Sequence, residues 1–346
     1  MAKKNTPITI GDIEVMPGER TSISLPVADL YTATSLSMPV EVICGRMAGP
    51  VMFVSAVVHG DELNGVEIIQ RLLKRKALKR LRGTLLAVPI VNVHGFLNQS
   101  RYLPDRRDLN RSFPGSAKGS IAGRLANLFV REVVSKADFG IDLHTGSQNR
   151  INFPQIRASL AEAGTEELAR AFGAPMILNA SIREGSLRAA AAELGLPVLV
   201  YEAGEALRFD EISIRAGLRG ILNVMRHRQM LPRVSTKSTL TPMIANTTRW
   251  VRAPDSGIVI KKASLGSAIR KGQSLAVISD PIGHEEQPVI APFDGIVIGR
   301  TNLPLAHEGD ALFNMASFES VPEAADAVEE FAAVHDADPN DVGSHT

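Results

Sequence analysis

From Val51 to about His227 this chain alternates apolar, strand-like runs with stretches of helical period, and that alternation constrains its fold more than any other feature. Val51-Met-Phe-Val-Ser-Ala-Val-Val58 is almost continuously apolar, as a strand buried on both faces must be. Behind it Leu63, Val66, Ile69 and Leu73 recur at helical spacing. Residues 85–91, 139–143 and 197–201 read as further strands, and 121–134 and 187–194 as helices between them. Short β segments at 8–10, 21–25 and 40–43 precede the main pattern. The expected fold is α/β: a mixed, mostly parallel sheet flanked by helices.

At 346 residues the chain is long for one compact domain. The alternation stops near residues 231–242, where Pro, Ser and Thr collect. Beyond lies an internal echo: Ala253-Pro-Asp-Ser-Gly-Ile-Val259 returns as Ala291-Pro-Phe-Asp-Gly-Ile-Val297, a period of 38 residues. Each copy runs a turn signal into a β-branched strand. Two such copies resemble the halves of a small all-β barrel-sandwich, the fold of biotinyl and lipoyl carriers. Those carriers need a lysine at a hairpin tip, yet Lys271 is the last lysine in the chain. The barrel is therefore expected to carry no biotin or lipoyl group and to act as a cap or an oligomer contact. Residues 319–346 hold eight Asp or Glu and no Lys or Arg, which predicts a solvated, disordered end. The expected organisation is a catalytic α/β domain over 1–235, a barrel over 236–318 and an acidic tail over 319–346.

The net charge of +1 gives no reason to expect nucleic acid or an anionic membrane as partner. No run reaches the roughly 18 apolar residues that a membrane span needs. Cys44 is the only cysteine, so no intrachain disulfide is possible and a reducing compartment fits. The first residues, Met-Ala-Lys-Lys-Asn-Thr-Pro, have no apolar stretch behind them, unlike a secretory signal. These features predict a cytoplasmic protein.

The strongest chemical signal is His59-Gly-Asp-Glu62, directly after the buried strand. A histidine and a carboxylate three residues apart in a strand-to-helix turn can converge on one cation. Catalytic zinc sites of the two-His-one-Glu kind use this ligand set and keep a fourth position open. His144, in Asp142-Leu-His-Thr-Gly146, ends another apolar strand, where open α/β sheets build their sites. The reading is one Zn2+ per chain on His59, Glu62 and His144. Asp142 shares a strand face with His144 and is a candidate to orient it. Zinc hydrolysis also needs a general base. Glu202 closes an apolar strand, but Glu205 lies close by, and spacing alone does not separate them. The loop over residues 99–115 carries Arg101, Arg106, Arg107 and Arg111, and its expected ligand is a substrate carboxylate held by a guanidinium fork. The basic stretch 74–82 reads as a solvated helix face, and His94 as a structural histidine.

Taken together these residues resemble the succinylglutamate desuccinylase/aspartoacylase family, relatives of the zinc carboxypeptidases. The motifs are His59-Gly-Asp-Glu62, Arg101-Tyr102 with Asp108-Leu-Asn-Arg-Ser-Phe113, Asp142-Leu-His-Thr-Gly146 and Glu202-Ala-Gly204. The match runs over roughly residues 51–204, and the barrel at about 250–316 looks like the family's C-terminal β domain. The resemblance implies a zinc-carboxypeptidase-like sheet and a zinc site of His59, Glu62 and His144. It makes Glu202 the base, gives Arg101 the scissile carbonyl and its oxyanion, and assigns the substrate's carboxylate end to Asn110 and Arg111, with Tyr102 beside them. Two extra residues separate Arg101-Tyr102 from Asp108 relative to the shorter aspartoacylases, and the family's acyl-end determinants are not recognisable here.

The leading expectation is hydrolysis of a small N-acyl amino acid. A carboxypeptidase acting on small peptides would use much the same residues. A metal-binding module without catalysis is the alternative from another class, and Glu202 beside a full ligand set counts against it.

Overall fold

The computed structural model describes residues 3–234, 241–245 and 247–336. A hairpin of β1 (Ile8–Ile10) and β2 (Ile13–Val15) leads into β3 (Arg20–Asp29), β4 (Ser35–Cys44) and β5 (Met47–Ala56). Next come α1 (Asn64–Leu73), β6 (Arg82–Val88), α2 (Val93–Leu97), α3 (Ile121–Glu132), β7 (Phe139–Gly146) and β8 (Arg150–Ala158). The α/β region closes with α4 (Thr165–Phe172), β9 (Met176–Asn179), α5 (Leu187–Glu193), β10 (Val198–Glu205) and α6 (Glu211–His227). The C-terminal part contributes β11 (Met243–Ala245), β12 (Thr247–Arg252), β13 (Gly257–Lys261), β14 (Ala268–Ile269) and β15 (Ser274–Ser279). It continues through β16 (Glu286–Ile290), β17 (Gly295–Thr301), β18 (Leu305–Ala306) and β19 (Ala311–Ser317) to α7 (Val321–Asp336).

The long sheet runs in the order β12-β19-β17-β8-β10-β7-β5-β6-β4-β3. Its centre, β10-β7-β5-β6, is parallel, and antiparallel strands flank it on both sides. The apolar run of β5 is buried on both faces: Phe53 packs edge-on against Phe129 of α3, while Met52 and Val54 join the core under α1 and α6. Burial on both sides is why its sequence is continuous in apolar residues rather than alternating.

The two echoed segments become β13 and β17. The four-stranded sheet β16-β15-β13-β18 packs on β12, β17 and β19 around Val259, Leu275, Val297 and Phe313, which makes the barrel-sandwich. One wall of that sandwich is also part of the long sheet, because β17 pairs directly with β8. The boundary expected at residue 235 lies outside the described residues.

The acidic end requires a correction. Residues 321–336 form α7, not a disordered tail, and Ala324, Ala327, Val328 and Phe331 make a buried stripe at helical spacing. Phe331 meets Phe153 of β8 edge-on with ring centres 5.8 Å apart. The acids occupy the other face, so the charge count concealed an amphipathic helix; residues 337–346 lie outside the described residues. No helix among the described residues is long and apolar enough to cross a membrane.

Candidate active site

Strand β5 delivers the chain into a tight turn at the carboxyl end of the parallel strands. Gly60 lies so close to Gly95 that a Cβ there would fall 2.0 Å from the Gly95 carbonyl carbon. No other residue fits that approach. The Glu62 amide donates to the His59 carbonyl at 3.1 Å, and this turn folds the carboxylate back beneath the imidazole. His59 Nδ1 stands 2.7 Å from Glu62 Oε1, and His144 Nδ1, arriving on the neighbouring β7, stands 2.8 Å from Glu62 Oε2. All three residues are buried, and their donor atoms lie within 4.8 Å of one another. This group can hold a metal ion.

The outer ring nitrogens are fixed too. His144 Nε2 is 2.7 Å from Asp142 Oδ2, whose other oxygen accepts from the Ser55 hydroxyl at 2.7 Å. His59 Nε2 is 3.1 Å from Asp108 Oδ1. A carboxylate behind each imidazole sets its ring orientation and raises its basicity. Burial opposes charge on both rings, but Glu62 and Asp108 raise the pKa of His59, and Asp142 and Glu62 raise that of His144 well above the ordinary imidazole value. Burial likewise opposes ionisation of Glu62, yet the two histidines hold its pKa far below the usual carboxylate range.

Parallel pairing of β10 with β7 sets Glu202 directly beside His144 on the same sheet face. Asn152 Nδ2 donates to Glu202 Oε2 at 2.7 Å, and an Arg157 guanidinium nitrogen donates to Oε1 at 3.2 Å. Glu205 has a different environment: a register shift in β10 separates it from Glu202, and it accepts from Asn302 Nδ2 at 2.7 Å.

The cationic loop divides by function. Leu109 and Phe113 anchor it in the core. Arg101 bridges Glu62 Oε1 at 3.3 Å and Asp108 Oδ2 at 3.0 Å, at the edge of the metal group. Asn110 Oδ1 accepts from the Leu187 amide at the start of α5 at 2.9 Å, which leaves its amide nitrogen for another partner. The exposed Arg111 donates to the carbonyl of Asn110, and Tyr102 is half exposed at the rim. Arg106 and Arg107 point outward and do not line the cleft. His94 lies buried in α2 away from the cleft, and burial lowers its pKa.

His59, Glu62, Arg101, Tyr102, Asn110, Arg111, His144 and Glu202 all face one cleft of about 860 Å³. The same cleft holds residues that the sequence reading passed over. Asn152, Gln155 and Arg157 come from β8, Arg183 from the approach to α5 and Arg188 from its first turn, and Trp250 and Asn314 from β12 and β19. Arg150 with Asn152, and Gln155 with Arg157, each alternate with apolar neighbours as in a strand, but the three-residue step from 152 to 155 breaks the period, so a single polar face is not legible in the sequence.

Residues 48–228 match the succinylglutamate desuccinylase/aspartoacylase catalytic domain. The chain belongs to this family. A family relative of known activity, the N-alpha-acetyl-L-2,4-diaminobutyric acid deacetylase of Halomonas elongata, is 25% identical over 314 residues, covering 87% of this chain and 92% of that protein. The fold matches the succinylglutamate desuccinylase/aspartoacylase from Rhodobacter sphaeroides with a TM-score of 0.77 at 24% identity, over 86% of this chain and 96% of the other. It equally matches the product-bound ectoine utilization protein EutE (DoeB) from Ruegeria pomeroyi, with a TM-score of 0.77 at 24% identity over 90% and 98% of the two chains. Those two matches cover 96% and 98% of the other structures, so the likeness of fold extends to the C-terminal β region as well as the long sheet.

Proposed function

We propose that the protein is a zinc-dependent deacylase that hydrolyses the amide of a small N-acyl amino acid. One observation carries the reading: Glu202 stands beside a buried His-Glu-His group in a cleft that also presents Arg101 and Arg111. Two imidazoles and one carboxylate are a ligand set of catalytic zinc, and the carboxylates behind each ring suit the metal over an ordinary hydrogen-bonded pair. Zinc, when bound, supplies a Lewis acid for the scissile carbonyl and lowers the pKa of water toward neutrality.

The chain's own residues perform the rest. Glu202 accepts a proton from the attacking water and returns it to the departing nitrogen, one group acting as base and then acid. Arg101 donates to the oxygen on which negative charge grows. Arg111 and the free amide nitrogen of Asn110 hold the substrate carboxylate at the open end of the cleft, which fixes the carbonyl near the metal group. Tyr102 flanks that carboxylate at the rim. The Halomonas relative acts on an N-acetyl amino acid, as its name states, and this supports small acyl amino acids over peptides. With one cysteine, buried, we assign the activity to the cytoplasm.

The test is a panel of N-acetyl, N-succinyl and N-acyl-diamino acids, with dipeptides alongside, offered to purified zinc-loaded protein while free amine is measured. Release from at least one acyl amino acid is expected. Turnover of dipeptides alone would overturn the deacylase reading in favour of a carboxypeptidase.

A further inference from the structure

We propose that Asn152 and Arg157 of β8 position Glu202, and that the C-terminal β unit secures this arrangement by leaving space at Gly299. The inference rests on the reading of Glu202 as the base and assigns a task to residues outside the family motifs.

Glu202 sits on β10, whose neighbour opposite β7 is β8. Along this antiparallel pair Glu202 faces Gln155 and Gly204 faces Asn152, so three steps on β8 match two on β10. In a regular strand residues 152 and 155 would point to opposite faces. The extra residue is a bulge that turns Asn152 onto the cleft face with Gln155 and Arg157, and re-aiming a side chain is a common use of such bulges. Each carboxylate oxygen of Glu202 then receives one donor, Asn152 Nδ2 at 2.7 Å and the Arg157 guanidinium at 3.2 Å. Two donors on opposite oxygens fix the plane of the carboxylate, which a single contact would leave free to rotate.

The next strand completes the arrangement. Gly299 of β17 is paired with Asn152, and a Cβ at 299 would fall 2.8 Å from Asn152 Oδ1 and 3.4 Å from Asn314 Cβ. The first contact is closer than a Cβ tolerates, whereas 3.4 Å is ordinary packing, so a larger residue would displace the Asn152 amide. The contribution of the C-terminal unit to the base is thus a missing side chain two strands away. A purely structural tie would be redundant here, because the backbone ladder already joins β8 to β10.

The test uses full-length zinc-loaded protein with Asn152→Asp, which keeps the side chain's shape but sets an oxygen against Glu202. By analogy with groups that orient catalytic ligands, kcat should fall about 10- to 100-fold. KM should stay within about threefold, with melting temperature and metal content unchanged. Arg157→Met should lose kcat similarly and Arg157→Lys recover part of it, while Gly299→Val should reproduce the Asn152→Asp effect. On a Glu202→Gln background Asn152→Asp should cost less than twofold more, because both changes remove one function. A crystal structure of Asn152→Asp should find the Glu202 carboxylate displaced from Arg157, a readout independent of turnover. Wild-type kcat in Asn152→Asp, together with a collapsed Glu202→Gln, would overturn the positioning role and leave the base intact. Wild-type kcat in Glu202→Gln would overturn the base and this inference with it.

Discussion

Replacing Asp142 by Asn should weaken metal binding, and the structure sets both the size and the pH dependence of the loss. Asp142 is 1% exposed, and its two oxygens are committed to His144 Nε2 and the Ser55 hydroxyl. Asn keeps the shape and one acceptor, so the ring stays oriented while the charge behind it disappears. Loss of such a partner typically costs about 10- to 100-fold in metal affinity, which is roughly 1.4–2.7 kcal/mol. A second effect opposes the first. Asp142 and Glu62 overcome burial to keep the His144 pKa well above its ordinary value, so a metal must displace a firmly held proton. Asp142→Asn lowers that pKa and reduces the competition. The deficit should therefore shrink as pH falls and protons burden the wild type more. Competition against a chromogenic zinc chelator between pH 6 and 9 measures this directly. Equal affinities across the whole pH range, or a deficit that grows on acidification, would refute the role of Asp142 behind a metal-bound His144.

Three further outcomes follow from the geometry. Glu202→Gln should retain zinc and lose about 10²–10⁴-fold in turnover, whereas Glu205→Gln, whose residue is tied to Asn302, should stay within a few fold; steady-state kinetics would expose a reversed order. Arg111→Ala should reduce kcat/KM for acyl amino acids by about 1.5–3 kcal/mol, the worth of a hydrogen bond to a charged group. Amidating the substrate carboxylate should cause the same loss in wild type and little more in the variant; simple additivity would release Arg111 from that contact. Phe331→Ala removes a ring that is 1% exposed and packed on Phe153, so denaturant unfolding should report about 3–5 kcal/mol of lost stability. A change below 1 kcal/mol would mean that α7 is not docked as described.

The sequence disclosed what chain proximity and strand order fix. His59 and Glu62 share one turn, and His144 ends a strand too apolar to be anything but central, so the convergence of these three side chains, which could hold a metal ion, was legible in the sequence. Glu202 and Glu205 could not be told apart, because the register of β10 on β7 sets Glu202 beside His144 and a shift after it carries Glu205 to Gly146. Asn152 and Arg157 escaped notice because β8 lies beside β10 out of chain order, and a bulge determines where Asn152 points. The echo around residues 253–297 revealed the sandwich, but not that β17 joins the catalytic sheet, since edge pairing leaves little mark on side-chain pattern. In α7 the acids dominate composition, while half of its four buried residues are alanines, whose burial depends on what they meet.

Under the proposed function, hydrolysis depends on one zinc held by His59, Glu62 and His144. The most direct test is a zinc titration of chelator-stripped protein, following amine release from the best acyl amino acid of the panel. Activity should be absent after stripping and rise linearly to a plateau at one zinc per chain. In the His59→Ala/His144→Ala variant it should stay at background throughout. Full activity in stripped protein, or zinc-restored activity in the double variant, would contradict the account.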